Sequence, residues 1–391
     1  MTVTAPKGFR AAGVAAGLKA TAGALDVALV VNDGPDWTAA AVFTGNRIKA
    51  APVLWSQQVL RAGIVRAVIL NSGGANACTG PAGFQDTHAT AEHTAAVLSG
   101  RASRFPVGAG DVAVCSTGLI GERLPLKKLL SGVDAAARGL ARDGGAAAAT
   151  AIMTTDTVSK TAVHSGQGFT VGGMAKGAGM LAPGLATMLV VLTTDAVADA
   201  DVLDAALRAA TRVSFDRIDS DGCMSTNDTV LLMASGAAGI QPTPEELTEA
   251  VTAVCADLAT QLIADAEGAT KEIAIEVTGA AGEDDAVEVG RSIARNNLVK
   301  TAFFGNDPNW GRILAAIGTT AAVFEPDEVD VAINGVWICK GGAAGEDRSK
   351  VDLSARAVTV TVDLHAGDAT ATVRTNDLSM GYVHENSAYS S

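Results

Sequence analysis

The sequence is short of aromatic and basic residues, and each shortage limits what the protein does. Only 4% of the 391 residues are aromatic, whereas 48% are hydrophobic, with Ala and Gly prominent among them. The interior must therefore be built from small side chains on elements that approach closely. The formal net charge is −13. Because clustered Lys and Arg are lacking, nucleic acid and anionic membranes are not expected as partners.

Cysteine and long apolar runs are also scarce. The cysteines are odd in number and have no CxxC spacing, so neither a disulfide framework nor a zinc site is expected; they are Cys78, Cys115, Cys223, Cys255 and Cys339. A reducing cytoplasm fits this pattern. No uninterrupted apolar run approaches the roughly 18 residues that span a bilayer. Lys19 interrupts the small-residue N-terminal stretch, so no signal peptide is expected either.

The sequence offers no recognisable serine-hydrolase machinery. It lacks a G-x-S-x-G motif, and its five histidines stand in no Ser-His-Asp context. The sequence therefore does not indicate a Ser-His-Asp mechanism.

The first half alternates short apolar runs with helical stretches, which predicts an α/β fold. We predict strands at 26–31, 66–70 and 111–115, and helices at 86–98 and 124–141. Residues 142–150 combine Arg-Asp-Gly-Gly with an alanine run. The pattern there predicts a loop or a seam between domains.

The second half contains a clear helix signal. Thr243 fits the N-cap, Pro244 the first position and Glu246 the capping box, and apolar residues follow on one face. Residues 272–278, 357–364 and 369–375 alternate apolar and polar, which predicts strands. The last two are joined by a short turn at 365–368, so we expect them to form an antiparallel hairpin.

Residues 171–195 are the most informative stretch. Glycines surround Lys176, Pro183-Gly184 follows, and Ala186-Thr187 leads into the apolar run 188–192. We expect a Gly-rich loop before a buried strand, with Thr187 at the rigid edge of that strand. A phosphate-binding loop is disfavoured, because the residues do not match G-x-x-x-x-G-K-[ST] and precede a strand.

A threonine at this position has distinctive chemistry. Its hydroxyl can attack the Ala186 carbonyl in an N-to-O acyl shift, and hydrolysis of the ester leaves Thr187 as a new N-terminus. A free α-amino group has a pKa of about 7.7 to 8.0, so it can serve as the general base for its own hydroxyl. On the residues alone, an ordinary strand-starting threonine is the simpler interpretation.

The context of Thr187 resembles the ornithine acetyltransferases. The similarity runs through the chain in order, and its segments are AVFTGNRIKAAPV from Ala41, NSGGANACTG from Asn71, CSTGLIG from Cys115, AIMTTD from Ala151, KGAGMLAPGLATMLVVLTTDA from Lys176, STNDTVLL from Ser225, DAEGATK from Asp265, LVKTAFFGNDPNWGR from Leu298 and ENSAYSS from Glu385. It therefore covers essentially the whole sequence.

This resemblance implies layered sheets and helices of the N-terminal-nucleophile type, in two parts with the site between them. It implies cleavage between Ala186 and Thr187 into an α chain, 1–186, and a β chain, 187–391, which stay together as an α2β2 assembly. It also implies ping-pong acetyl transfer from N2-acetylornithine to glutamate, without a cofactor or metal. Some members of the family also accept acetyl-CoA.

The resemblance further assigns residues. Thr187 is the nucleophile, and Thr117 and Gly118 supply an oxyanion hole through a hydroxyl and a backbone N–H. The implied substrate contacts are Thr154, Lys176, Thr187, Glu267, Asn386 and Ser391. Our hypothesis is that Lys176 holds an α-carboxylate and Glu267 the ornithine side-chain ammonium. We also expect the C-terminal residues to be ordered.

Two other interpretations stay open at this point. The first is an N-terminal-nucleophile amidohydrolase or aminopeptidase that passes the acyl group to water. The second is a non-enzymatic binding protein in which Thr187 is structural. Residues 219–229 and 306–312 are rich in Asp and Asn, but their spacing fits no metal loop, so we interpret them as structural turns.

Overall fold

The computed structural model describes residues 2–100, 106–182 and 188–388. In chain order its strands are β1 Phe9–Val14, β2 Val27–Asn32, β3 Ala39–Phe43, β4 Ala67–Asn71, β5 Val112–Ser116, β6 Lys160–Ser165, β7 Thr170–Lys176, β8 Leu189–Thr194, β9 Thr229–Ala234, β10 Glu272–Ala280, β11 Asp330–Ile333, β12 Val336–Lys340, β13 Ala343–Ala344, β14 Ala357–Asp363 and β15 Ala369–Asn376. Its α-helices are α1 Ala51–Val59, α2 Gly80–Leu98, α3 Leu126–Arg138, α4 Gly145–Ala151, α5 Ala200–Val213, α6 Pro244–Ala264, α7 Glu283–Arg295, α8 Asn297–Phe304, α9 Trp310–Ile317 and α10 Met380–Ala388.

The first sheet has the strand order β1-β2-β4-β5 and is covered by α2 and α3. Strands β2, β4 and β5 are buried along their whole lengths. They confirm the strands predicted at 26–31, 66–70 and 111–115. The two predicted helices are also present, although α2 begins at Gly80 rather than at 86, and α3 is shorter than 124–141.

The second sheet has the order β3-β9-β8-β7-β6 and lies between the first sheet and two helices. Side chains of β8 alternate between its faces. Leu189 and Val191 join the core shared with the first sheet. Val190 and Leu192 join the core formed with α5 and α6. The result is a four-layer stack of helices, sheet, sheet and helices, which confirms the layered α/β class.

Helix α6 follows from its sequence as predicted. The Thr243 hydroxyl accepts a hydrogen bond from the Glu246 N–H (3.2 Å), and the Glu246 carboxylate accepts one from the Thr243 N–H (2.9 Å). Among the described residues, α6 is also the one helix long and apolar enough to cross a membrane. Half of its most apolar window is buried, because its apolar face packs on the second sheet.

The third sheet corrects one prediction. Its order is β13-β12-β11-β14-β10-β15, and α7, α8 and α9 share its hydrophobic core. Strand β10 confirms the strand at 272–278, but it lies between β14, its parallel neighbour, and β15, its antiparallel one. The hairpin predicted for 357–364 and 369–375 is therefore wrong. Strand β10 pairs with both and separates two strands joined by a short turn.

Two stretches expected to be loops are regular elements. Residues 142–150 include the start of α4, which packs on β1 so closely that a Cβ on Gly13 would lie 2.0 Å from the Ala147 carbonyl oxygen. The Gly-rich stretch before Lys176 is strand β7, not a loop. A Cβ on Gly172 would lie 2.5 Å from the Thr2 carbonyl oxygen, so this glycine permits close packing rather than a turn.

The expected cleavage point falls between neighbouring strands of one sheet. Residues 1–186 supply the first sheet and β3, β6 and β7, whereas 187–391 supply β8, β9 and the third sheet. The two segments therefore share the second sheet and are not separate domains. Ala186 and Thr187 themselves lie outside the described residues.

Candidate active site

Most of the expected site residues line one open cleft. Its lining comes from both segments of the chain and comprises Ala75, Thr117, Gly118, Ile120, Thr154, Thr155, Lys176, Gly179, Met180, Ser225, Thr226, Asn227, Glu267 and Asn386. The structure thus brings together all expected oxyanion-hole and substrate contacts that lie in its described part. Ser391 and Thr187 lie outside it.

Thr117 and Gly118 directly follow the buried strand β5, and both offer donors to the cleft. The Thr117 hydroxyl accepts a hydrogen bond from Lys176 Nζ at 3.3 Å, so its own proton is available to another acceptor. Among the described residues, the Gly118 N–H donates to no acceptor. A hydroxyl and the backbone N–H of the next residue suit the stabilisation of an oxyanion.

Gly118 is required by its backbone. Its φ is 128°, a region that residues with side chains rarely adopt. A Cβ there would lie 2.9 Å from the Gly74 Cα, so a larger residue would displace the facing segment. The backbone at Gly118 therefore has a shape that only glycine adopts without strain.

Lys176 ends strand β7 and is fully buried at the floor of the cleft. Burial lowers the pKa of its ammonium below the ordinary value, although Asp156, Asp228 and Glu267 act in the opposite direction. An ammonium with so little water around it interacts strongly with an anionic ligand. Lys176 can therefore hold a carboxylate that enters the cleft.

Glu267 also lines the cleft, shortly after α6, and is held by both segments of the chain. Its carboxylate accepts hydrogen bonds from the Thr155 hydroxyl (2.7 Å) and from Asn386 Nδ2 (2.9 Å). A Cβ on Gly179 would lie 2.6 Å from its Oε atoms, so glycine makes room for the carboxylate. The site thus presents an ammonium and a carboxylate, matching the opposite charges of an amino acid.

The C-terminal segment is ordered as expected, through Ala388. Helix α10 carries Asn386, whose side chain also donates to the Tyr382 carbonyl (3.0 Å). Ser379 holds the first turn by accepting from the Tyr382 N–H (3.0 Å). The helix therefore places Asn386 against Glu267.

The loop that leads into β9 contributes a wall of the cleft that sequence analysis missed. Asn227 Nδ2 donates to the carbonyl oxygens of Ala75 and Ser116, both at 2.7 Å. Thr226 donates to Asn227 Oδ1 at 2.6 Å. The sequence pattern of 219–229 predicts a structural turn only. Its run of Ser, Thr and Asn side chains is the signal that could have indicated a site wall.

The described residues that follow Thr187 are firmly held. The Met188 N–H donates to Asp228 Oδ1 (3.0 Å), and its carbonyl accepts from the Thr229 N–H (3.1 Å). Met188 is buried, and β8 begins at the next residue. Burial raises the pKa of the Asp228 carboxyl well above its ordinary value. The backbone that directly follows Thr187 is therefore fixed in the sheet.

Across residues 2–100, 106–182 and 188–388, no group of three or more His, Cys, Asp or Glu side chains is arranged to hold a metal ion. The five cysteines are free thiols.

Comparisons with known proteins show the family of this chain. The ArgJ family model matches residues 10–391. The arginine biosynthesis bifunctional protein ArgJ of Thermobifida fusca is 67% identical over 390 residues, and that of Streptomyces avermitilis is 67% identical over 391, each covering all of both chains. A crystal structure of ornithine acetyltransferase from Mycobacterium tuberculosis, complexed with ornithine, is 63% identical and covers 48% of this chain and 96% of that chain, with a TM-score of 0.45.

The match to the family model and the identity over whole chains lead to one conclusion. The chain belongs to the ArgJ family and is an acyltransferase of arginine biosynthesis.

Proposed function

We propose that this protein transfers the acetyl group of N2-acetylornithine to glutamate, giving ornithine and N-acetylglutamate. The observation that carries the proposal is the single cleft in which Thr117, Gly118, Lys176 and Glu267 converge beside the start of β8. An oxyanion hole, a cation and an anion at one site suit an acetylated amino acid with a charged side chain.

Self-cleavage between Ala186 and Thr187 is the first step of the proposed mechanism. It gives an α chain of residues 1–186 and a β chain of residues 187–391 that begins with the nucleophile. The shared second sheet supports continued association of the two chains, since β7 and β8 pair along their lengths. Two copies of this pair form the proposed α2β2 assembly, which acts in the cytoplasm.

Acetyl transfer then follows in two balanced steps. The Thr187 hydroxyl oxygen attacks the acetyl carbonyl carbon while the Thr187 α-amino group takes the hydroxyl proton. The Thr117 hydroxyl and the Gly118 N–H hold the oxyanion until the C–N bond breaks and ornithine leaves with that proton. The amine of glutamate attacks the acetyl-Thr187 ester in the reverse sense, which restores the hydroxyl and releases N-acetylglutamate.

Substrate charges suit the two sides of the cleft. Lys176 would hold the α-carboxylate that both substrates carry, and Glu267 the side-chain ammonium of ornithine. Thr154 and Asn386 lie beside these two residues, and Ser391 completes the proposed contacts. Both Glu267 oxygens already accept hydrogen bonds within the chain, which orients the carboxylate before the substrate arrives.

The test is acetyl transfer between amino acids. Purified protein is incubated with N2-acetylornithine carrying a labelled acetyl group, with and without glutamate. We expect labelled N-acetylglutamate only when glutamate is present, and a labelled protein when it is absent. Release of labelled acetate at the full rate without glutamate would instead support the amidohydrolase alternative.

Use of acetyl-CoA is a separate part of the proposal, supported by the description of the relatives as bifunctional. Incubation with acetyl-CoA and glutamate as the only substrates tests it. Formation of N-acetylglutamate supports a second donor, and its absence under conditions that permit transfer from N2-acetylornithine contradicts it.

Membership of the ArgJ family favours an acyltransferase over the amidohydrolase and the non-enzymatic binding protein.

A further inference from the structure

A cluster of buried charges lies beneath the cleft, outside the residues assigned so far. Lys160, at the start of β6, has a fully buried side chain. Its Nζ donates to Asp156 Oδ1 and to Asp265 Oδ2, both at 2.6 Å. The two carboxylates are almost completely buried as well. Buried charges are costly unless paired, so such a cluster must be held by its partners.

Asp156 connects this cluster to two cleft residues. Its Oδ1 also accepts from the Gly177 N–H at 2.7 Å, next to Lys176 in the chain. Its Oδ2 accepts from the Thr154 N–H at 3.0 Å. One carboxylate therefore fixes the backbone beside Lys176 and at Thr154, two proposed substrate contacts.

Asp265 connects the cluster to the segment that carries Glu267. It follows α6 directly and lies two positions before Glu267. Its Oδ2 accepts from the Thr157 N–H at 3.0 Å, and the Thr157 hydroxyl bonds its Oδ1. Lys160 and Thr157 precede the cleavage point, whereas Asp265 follows it. The cluster therefore joins the two proposed chains beneath the substrate site.

The cluster also sets the electrostatic surroundings of Lys176. Burial is the largest influence on the pKa of Lys176 and lowers it, while Asp156 is the strongest of the groups that raise it. Asp228 and Glu267 raise it too, and Lys160 lowers it. Lys19, whose Nζ is held by the carbonyl oxygens of Leu25 and Met153, is a further cation that interacts with Lys176.

The carboxylate of Asp156 is suited to this task. Burial acts to raise its pKa, but Lys176, Lys160 and the Gly177 N–H together lower the pKa below its ordinary value. Asp156 therefore stays ionised at neutral pH. Two carboxylates, Asp156 and Asp265, then face two ammonium groups, Lys160 and Lys176, so that this set of buried charges is balanced.

We propose that Asp156 is a positioning residue that maintains the charge and place of Lys176, and that Lys160 and Asp265 extend this control across the cleavage point to Glu267. The inference rests on the proposed function, because Lys176 and Glu267 are its substrate-binding pair. It adds a reason for the two chains to remain together: the carboxylate-binding and ammonium-binding sides of the site are connected by one buried ion cluster.

The direction of the pH effect follows from the charge of Lys176. Its ammonium is present below its pKa and lost above it, so the KM for an amino acid held through its carboxylate rises as pH passes that pKa. Asp156→Asn keeps the shape of the side chain but removes the charge that most favours the ammonium. The pKa of Lys176 then falls further, and the rise in KM moves to lower pH.

The experiment measures kcat and KM for N2-acetylornithine from pH 6 to 10 in wild-type protein, Asp156→Asn and the control Asp257→Asn. Asp257 is an exposed carboxylate on α6 outside the cluster. For Asp156→Asn we expect the rise in KM to move to lower pH by about one unit, so that KM is about tenfold higher than in wild type at any pH well above the pKa of Lys176. We expect kcat to change less than about threefold, and the control to match wild type.

The outcomes separate the inference from the proposed function. If wild-type protein transfers acetyl groups but the KM profile of Asp156→Asn keeps its wild-type position on the pH axis, the inference is wrong. If wild-type protein transfers no acetyl group, the proposed function fails first, and that result is visible before any variant is made.

A second variant keeps the test decisive if Asp156→Asn does not fold. Asp265→Asn leaves the two backbone hydrogen bonds of Asp156 in place and weakens the link to Glu267. We expect a higher KM for N2-acetylornithine with no displacement along the pH axis, and easier separation of the two chains in urea. Unchanged KM and unchanged chain association would overturn the proposed link between the two sides of the site.

Discussion

Replacement of Thr117 by valine tests the oxyanion hole at a single atom. Valine keeps the branched shape of threonine but has a methyl group where Oγ1 stands. The residue is 3% exposed, so water does not readily replace the lost hydroxyl. Removal of one oxyanion donor typically reduces kcat by about 100- to 1,000-fold, or about 2.7 to 4 kcal/mol. We expect an effect in that range.

The substitution has a second consequence that must be separated from the first. Lys176 Nζ loses the Thr117 oxygen as an acceptor (3.3 Å), and a hydrogen bond of this kind contributes about 1 to 3 kcal/mol. That loss acts on substrate binding and therefore appears in KM. The oxyanion contribution arises only in the transition state and therefore appears in kcat.

The assay compares wild type, Thr117→Val and Thr117→Ser, each shown by mass to be in the same processing state. Serine retains the hydroxyl and serves as the matched control. We expect its kcat to lie within about tenfold of wild type, since only the methyl group is lost. A kcat for Thr117→Val within about threefold of wild type would refute the assignment of this hydroxyl to the oxyanion hole.

Three further predictions concern other parts of the cleft. In Gly179→Ala, the new Cβ would lie 2.6 Å from both Glu267 Oε atoms, so the carboxylate must move. We therefore expect steady-state assays to show a raised KM for N2-acetylornithine and an unchanged kcat. Asp228→Ala removes the acceptor of the Met188 N–H, whereas Asp228→Asn keeps an oxygen there. We expect self-cleavage to be slower in the alanine variant and less affected in the asparagine variant, as measured by the appearance of the two chains on denaturing gels. Lys176→Met removes a buried cation, and we expect KM for N2-acetylornithine to rise at least tenfold, about 1.4 kcal/mol, and to lose its increase at alkaline pH; a KM profile identical to wild type would count against a carboxylate contact.

The sequence predicted those helices and strands whose conformation is determined by residues close to them in the chain. The capping box of Thr243 and Glu246 and the apolar face that follows were sufficient to place α6. Strands β2, β4 and β5 are buried along their whole lengths, and their short runs of apolar residues predict them from the sequence. In these cases the neighbours along the chain decide the conformation.

Elements that depend on distant partners were harder to predict. The short turn before β15 suggested a hairpin, yet β10, from far earlier in the chain, takes the place between β14 and β15. The glycines of β7 suggested a loop, yet they lie in a strand. At position 173 only glycine fits, because a Cβ would lie 2.8 Å from the Leu192 side chain. Neither contact leaves a trace in the local pattern.

The candidate site shows the same division. Resemblance to a family indicated Thr117, Lys176 and Glu267, but no spacing in the sequence indicates that they meet, since they follow β5, end β7 and follow α6. The buried partner Asp156 was missed because a lone aspartate in a polar stretch looks like a solvated loop residue. Only its contacts with Lys160 and Gly177 distinguish it.

The most direct test of the central claim is the denatured intact mass of freshly purified protein, with N-terminal sequencing of each species. The account predicts two chains, residues 1–186 and 187–391, the second beginning Thr187-Met188-Leu189. A single chain of 391 residues that stays intact on incubation and still transfers acetyl groups would contradict it, because no free Thr187 amine would then be present to act as the base.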